Sequence, residues 1–147
     1  MADAQRPYIL QPNTRLWGQF TVQAHVASGG FADIYRVYDP RGQIFAAKVL
    51  RSHEAHRKIV QNQFQQEVML HPRLQNPHIV RCFGAYPNDP NYPGLLLAYI
   101  DNDTLREQQR SRQRPYDDRQ IMMMMYQMTT ALSYLHEQHR YVHCDIK

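Results

Sequence analysis

Two short turns separate three strand-like segments near the start of the chain, and this arrangement limits the fold more than any other feature. Residues 28–30 and 39–42 consist mainly of Ser, Gly, Asp and Pro, which favour chain reversal. Residues 20–26, 34–38 and 44–50 alternate apolar and polar side chains or are almost continuously apolar. Because such short turns join antiparallel neighbours, the sequence predicts an antiparallel meander.

One helix and two more strands are predicted after the meander. Residues 57–70 place apolar side chains at a mixed helical spacing, and Pro72 limits the predicted helix. Residues 79–83 are apolar except for Arg81, residues 95–100 are apolar, and a Pro- and Asn-rich loop lies between the two segments. Five strands with a helix after the third indicate an α+β fold.

The character of the sequence changes near residue 100. Asp117 and Asp118 precede a long segment with an apolar stripe, and carboxylates favour the start of a helix. We therefore predict a helix over residues 119–136. Its stripe consists of Ile121, Met125, Met128, Leu132 and Leu135.

Composition argues against several classes of function. The net charge is +4, but the 17 basic residues are scattered and no nucleic-acid recognition motif accompanies them, so nucleic acid is not an expected partner. Cys82 and Cys144 lack the spacing of a disulfide framework, which is typical of reduced thiols. We find no signal-peptide pattern and no apolar run of membrane-spanning length. The expected location is intracellular, in the cytoplasm, without membrane contact.

Three features in the first hundred residues suggest phosphate chemistry. The small-residue hairpin at 26–34 could bring backbone N–H groups to phosphate oxygens, although taken alone it is better explained as a plain β-hairpin turn. Lys48 lies inside an apolar strand, where an ammonium group is costly unless it is paired or reaches water at a sheet edge. Glu67 follows 19 residues later, on the predicted helix, and offers a partner.

A fourth feature lies in residues 141–147. Asp145 follows a short apolar segment and could accept a hydroxyl proton, while Lys147 could stabilise phosphate charge. An exposed polar turn would explain the same residues. The sequence has only three lysines, and Lys48 and Lys147 are two of them, which favours the chemical interpretation.

Taken in this order, the four features resemble the eukaryotic-type protein kinase family over about residues 18–147. Residues 74–80 resemble its Leu-x-His-Pro-Asn-Ile-Val segment, 95–99 its strand before the hinge, and 132–136 the end of the helix before its catalytic loop. Lys147 follows the pattern of the serine/threonine type. The resemblance implies a kinase N-lobe, with a five-stranded antiparallel sheet and one regulatory helix, followed by the hinge and the first helices of a truncated C-lobe.

The same resemblance implies a domain organisation. Residues 1–17 would form an extended lead-in, 18–100 the N-lobe with the hinge, and 101–147 a partial C-lobe that ends in the catalytic loop. It also implies a function, the transfer of the ATP γ-phosphate to protein Ser/Thr hydroxyls once the C-lobe is complete. A kinase-like scaffold or decoy and a non-catalytic nucleotide-binding domain are the alternatives.

ATP and Mg²⁺ are the cofactors that the resemblance implies. Adenine would lie between apolar side chains next to the hinge backbone, with Leu97 as the gatekeeper, and the loop glycines would cover the phosphates. Asp145 would be the catalytic base. The implied catalytic residues are Asp145, Lys147, Lys48 and Glu67. The implied ATP-binding residues are Val26, Gly29, Gly30, Ile34, Ala46, Lys48, Leu97, Ala98, Tyr99 and Ile100, and no metal ligand is assigned.

The sequence departs from the family pattern at several positions. Ala27 and Ala32 replace two loop glycines, and Cys144 replaces the catalytic-loop arginine that receives an activation-loop phosphate. The family's magnesium-binding motifs fall beyond Lys147, so the 147 residues alone are expected to be inactive. A protein substrate or a docking partner that covers the helix at 119–136 is the expected macromolecular partner.

Overall fold

An antiparallel sheet is the main element of the fold, and its strands lie between residues 15 and 98. The computed structural model describes residues 9–112 and 114–143. Within these residues the chain forms two compact units, one made of residues up to 74 together with 80–100, the other of 75–79 and the residues from 101 onward.

The first unit contains six strands in the order β1-β2-β3-β4-β6-β5. Every neighbouring pair is antiparallel, as the short turns of the meander predict. The α+β class and the kinase-type sheet are therefore confirmed. The strands are β1 (Arg15–Leu16), β2 (Phe20–Ser28), β3 (Ala32–Tyr38), β4 (Ile44–Leu50), β5 (Cys82–Tyr86) and β6 (Gly94–Ala98).

The sequence predicted five strands, and the additional one is β1, which lies in the segment assigned to the extended lead-in. Leu16 of β1 is completely buried against the sheet. Trp17 stacks on Tyr86 at a centroid distance of 4.1 Å and donates a hydrogen bond from Nε1 to the carbonyl of Tyr92 at 2.8 Å. A two-residue strand has no readable periodicity, so the sequence pattern could not identify it.

The two faces of the sheet have separate cores because side chains alternate along each strand. On β4, Phe45, Ala47 and Val49 belong to one core, together with Leu16 and other residues of β2 and β3. Leu50 points to the opposite face. There it joins Leu95 and three buried side chains of a helix, α1, in a second core, which consists of Leu50, Val60, Phe64, Val68 and Leu95.

Helix α1 spans Lys58–Leu70, one residue shorter than the prediction, and a 3-10 turn at His71–Arg73 ends it. Pro72 lies in this turn, in agreement with its predicted role. The Nε2 atom of His71 lies 2.8 Å from the carbonyl oxygen of Val80, so the irregular end of the helix is tied to the chain that leads to β5.

Two helices, α2 (Leu105–Ser111) and α3 (Asp118–His139), form most of the second unit. Each begins with a capping box, built from Thr104 and Glu107 in α2 and from Asp117 and Gln120 in α3. The prediction of α3 is confirmed, but the helix runs three residues further, to an end at which Arg140 adopts the left-handed conformation.

The apolar stripe of α3 is mostly uncovered in the described residues. Leu135 is buried, whereas Met125 is 60% exposed. At the other end of the helix, the hydroxyl of Tyr134 accepts a hydrogen bond from the backbone N–H of Gln75 at 2.9 Å. The side chains of Ile121, Met122, Met123, Tyr126 and Met128 are also exposed.

Candidate functional site

Lys48 and Glu67 form the centre of the candidate site. The Nζ atom of Lys48 donates to both carboxylate oxygens of Glu67, at 2.5 and 2.7 Å. Lys48 occupies a position on β4 that faces α1 because it alternates with the core residues Ala47 and Val49. Glu67 lies on α1, whose buried residues pack against the same face of the sheet. The two residues that the sequence paired are therefore in direct contact.

The ion pair is only partly buried. The side chains of Lys48 and Glu67 are 23% and 25% exposed, and the ammonium group lies 5.4 Å from the ring centroid of Phe31. Water reaches both charges, so the pair adds less to stability than a fully buried one and avoids most of its desolvation cost. Such a lysine remains accessible to an anionic ligand while its position is fixed by the carboxylate.

Apolar side chains line the sheet face beside Lys48. Ile34 on β3 is the register partner of Lys48, and Ala46 on β4 is the register partner of Leu97 on β6. All three side chains therefore share the face that carries the ammonium group. Ala46 has a small side chain and is 8% exposed, and its contact with adenine stays a prediction.

Val26, the fourth apolar residue predicted for the adenine pocket, lies on β2 at an irregular position. The β2–β3 register shifts between His25 and Ala27, so Val26 occupies a bulge and has no direct partner. Its side chain is 49% exposed. The position of Val26 on β2 is therefore known, whereas its contact with adenine stays a prediction.

The turn between β2 and β3 contains both predicted loop glycines. The N–H of Gly29 donates to the carbonyl of Ala32 at 2.8 Å, which closes the hairpin. A Cβ atom at Gly29 would lie 3.2 Å from the same carbonyl oxygen, whereas one at Gly30 would meet no heavy atom within 4 Å. Ala27 and Ala32 are accommodated as ordinary strand residues, and Ala32 is 3% exposed.

The predicted hinge residues follow the end of β6. Ala98 ends the strand and donates its N–H to the carbonyl of Arg81 at 2.8 Å. The guanidinium of Arg36 lies 5.0 Å from the ring centroid of Tyr99, a distance typical of a cation–π contact. Ile100 is 58% exposed. Their contacts with an adenine edge stay a prediction.

Cys82 is a half-buried thiol on β5, opposite Leu97. Burial raises the pKa of this thiol, and its S–H donates to the carbonyl oxygen of Gly84 at 3.3 Å. The raised pKa lowers the fraction of this thiol that is ionised at neutral pH.

The sequence interpretation missed Asp33 and Arg51. Asp33 is 1% exposed, and Arg51 contacts both its carboxylate and the loop carbonyls of Gly29 and Gly30. A carboxylate within the apolar alternation of β3 and an arginine directly after β4 were available signals. Their meaning depends on the β3–β4 register, which the sequence pattern does not supply.

Asp145 and Lys147 lie outside the described residues, as does Cys144. Within residues 9–112 and 114–143, no group of three or more His, Cys, Asp or Glu side chains could hold a metal ion. No helix in that part of the chain is both long and apolar enough to cross a bilayer.

Comparison with known proteins agrees with this geometry. Residues 20–147 match the protein kinase domain family. The chain is 31% identical over 140 residues to the serine/threonine-protein kinase PLK4 of Drosophila virilis, which covers 87% of the chain and 16% of that kinase. It is 26% identical over 129 residues to an Aurora kinase of Patiria pectinifera, which covers 87% of the chain and 31% of the kinase.

A third relative is the serine/threonine-protein kinase CTR1 of Arabidopsis thaliana, 27% identical over 134 residues, with 89% of the chain and 16% of the kinase covered. The family match extends over most of the sequence, and the sheet, α1 and the Lys48–Glu67 pair have the arrangement expected from it. The chain belongs to the protein kinase family. Within that family, it is of the eukaryotic serine/threonine type. It spans less than a third of the length of each of these relatives.

Proposed function

We propose that the first unit binds ATP on the sheet face that carries Lys48, as part of a protein that phosphorylates Ser and Thr hydroxyls of other proteins. The observation that carries the proposal is the bidentate contact between Lys48 and Glu67. It holds a partly exposed ammonium group beside an apolar lining, and next to a hairpin with an unobstructed glycine at Gly30. This combination fits a ligand with a flat apolar base and a chain of phosphates.

Each residue of this face has a distinct role in the proposal. Ile34, Ala46 and Leu97 contact the adenine ring, and Val26 covers it from the bulge of β2. Lys48 neutralises charge on the α- and β-phosphates, and Glu67 keeps the ammonium group directed towards them. Gly29 and Gly30 allow the loop backbone to approach the phosphates. The backbone of Ala98, Tyr99 and Ile100 provides hydrogen bonds to the adenine edge.

Transfer of the γ-phosphate from ATP to a protein hydroxyl needs residues outside the first unit. Asp145 would accept the proton of the substrate hydroxyl and Lys147 would stabilise charge on the transferred phosphoryl group. Mg²⁺, when bound with ATP, neutralises phosphate charge in this reaction. The family's magnesium-binding motifs are not found in residues 1–147. We therefore expect these 147 residues alone to bind ATP without measurable transfer.

Calorimetric titration with ATP tests the binding proposal. Lys48→Met should weaken ATP binding by about tenfold or more, because a charge-assisted contact to phosphate is lost. Lys58→Met is the matched control, since Lys58 begins α1 and its side chain is exposed. The proposal fails if the unaltered chain does not bind ATP at millimolar concentration, or if both variants bind ATP equally.

Docking of a partner protein on α3 is a second candidate function, favoured by the row of exposed apolar side chains on that helix. Met122 is 70% exposed and Tyr126 is 64% exposed. Exposed apolar surface of this kind marks an interaction site or a source of self-association. Sedimentation of the isolated chain tests it, because a monodisperse and stable monomer would show that α3 needs no cover.

A further inference from the structure

Arg51 and Asp33 form a charged pair on the face of the sheet opposite Lys48. Asp33 is the register partner of Val49, and Val49 belongs to the core on that opposite face. Arg51 follows directly after β4, and its Nη1 atom lies 3.5 Å from the Oδ1 atom of Asp33. The two side chains are 10% and 1% exposed respectively, so the pair is almost completely buried.

Arg51 also contacts the loop between β2 and β3 through three hydrogen bonds. Its Nη2 atom donates to the carbonyl oxygens of Gly29 and Gly30, at 2.9 and 2.5 Å. Its backbone N–H donates to the carbonyl of Phe31 at 3.0 Å. Three consecutive loop carbonyls are therefore bound to one arginine.

The planarity of the peptide bond turns these contacts into a constraint on the loop N–H groups. In a trans peptide, the C=O of one residue and the N–H of the next point in opposite directions, and the described backbone contains no cis peptide bond. Arg51 holds the carbonyls of Gly29 and Gly30 towards its own face. The N–H groups of Gly30 and Phe31 then point away from Arg51.

Two successive backbone N–H groups that point to one side form an anion-binding concavity. We propose that Arg51 is a positioning residue that orients the N–H groups of Gly30 and Phe31 towards the phosphates of ATP. The inference rests on the proposed ATP binding by the first unit. Arg51 itself does not touch the nucleotide, because it lies on the opposite face of the sheet.

Asp33 fixes Arg51 in this position. Within the described part of the chain, neither carboxylate oxygen of Asp33 has a hydrogen-bond partner, and its Oδ1 atom lies 3.5 Å from Nη1 of Arg51 and 3.8 Å from Nε2 of His25. A buried carboxylate strongly favours a nearby guanidinium, so Arg51 is held close to the sheet. The guanidinium can then bridge the carboxylate and the loop.

The test compares ATP with adenosine, which lacks phosphates, as ligands of the full chain in calorimetry. Arg51→Met should weaken ATP binding about tenfold and change adenosine binding by less than about twofold. Arg41→Met is the control, because Arg41 is an exposed arginine in the turn between β3 and β4. Arg51→Met leaves Asp33 buried without its guanidinium, so the double variant Asp33→Asn/Arg51→Met is measured beside it.

The double variant removes the buried charge and the loop contacts together, and it should show the same selective loss of ATP affinity. Equal losses for ATP and adenosine would show a general structural role for Arg51 and overturn the inference, as would unchanged ATP binding in a folded variant. Failure of the unaltered chain to bind either ligand would instead refute the proposed function, and the inference with it. The two failures are therefore distinguishable.

Discussion

Gly94, the first residue of β6, is expected to be intolerant of any side chain. A Cβ atom at this position would lie 2.5 Å from the carbonyl oxygen of Lys48 and 2.8 Å from the indole ring of Trp17. The first distance is about 0.9 Å short of the 3.4 Å at which ordinary contact begins. The obstacle is backbone on one side and a stacked ring on the other, so neither neighbour can move without disturbing the sheet.

The cost of Gly94→Ala follows from these contacts. Extra volume in a closely packed site costs about 1–3 kcal/mol, and a clash with backbone belongs at the upper end of that range. We therefore expect the free energy of unfolding to fall by about 3 kcal/mol. The displaced strand is the one that pairs with β4 beside Lys48, so ATP affinity should fall as well.

Urea denaturation of the full chain measures this effect. Trp17 is the only tryptophan in the sequence and contacts the altered site, so its fluorescence follows unfolding directly. With an m-value of about 1–3 kcal/mol/M, the midpoint should fall by about 1 M or more. Gly30→Ala is the matched control, because its Cβ would meet no atom within 4 Å, and we expect a change below about 0.5 kcal/mol. Equal stabilities for the two variants would refute the packing argument.

Three further predictions concern other parts of the structure. Leu16→Ala should lower the free energy of unfolding by about 2–5 kcal/mol, since Leu16 is fully buried, and a loss below about 1 kcal/mol in denaturation would contradict the role of β1 in the core. Asp117→Ala removes the cap that accepts from the N–H of Gln120 at 2.8 Å and should cost about 1 kcal/mol, seen as lost helicity in circular dichroism, whereas Asp117→Asn should retain most of it. Burial raises the pKa of Cys82. In a Cys144→Ser background, alkylation of Cys82 by iodoacetamide at pH 8.5 should therefore be slower than alkylation of a fully exposed thiol, and an equal rate would contradict this shift in pKa.

The sequence predicted most of the sheet because its turns are short and its strands are strongly patterned. The bounds of β4, Ile44–Leu50, agree with the prediction, since a turn precedes this apolar run. β5 begins three residues later than expected. Ile79 is apolar, but its N–H donates to the carbonyl of Asn76 in a turn, so the strand begins only at Cys82. Apolar character alone cannot distinguish a turn residue from a strand residue.

The ion pair between Lys48 and Glu67 was also predictable from the sequence, whereas the contacts of Arg51 with the loop between β2 and β3 were not. A lysine in an apolar strand needs a partner, and Glu67 was the acidic residue on the next helix, so Lys48 and Glu67 could be paired from sequence. The contact between Arg51 and Asp33 depends on which residues of β3 and β4 lie opposite each other. Such a register is decided by packing of the whole sheet.

Labelling with an acyl-phosphate derivative of ATP tests the central claim most directly. This reagent acylates a lysine amine that lies beside the phosphates of the bound nucleotide, and the sequence has only three lysines, Lys48, Lys58 and Lys147. Mass spectrometry of the digested protein should find the label on Lys48 in preference to Lys58, and excess ATP should abolish it. Equal labelling of Lys48 and Lys58 that excess ATP does not reduce would contradict the account.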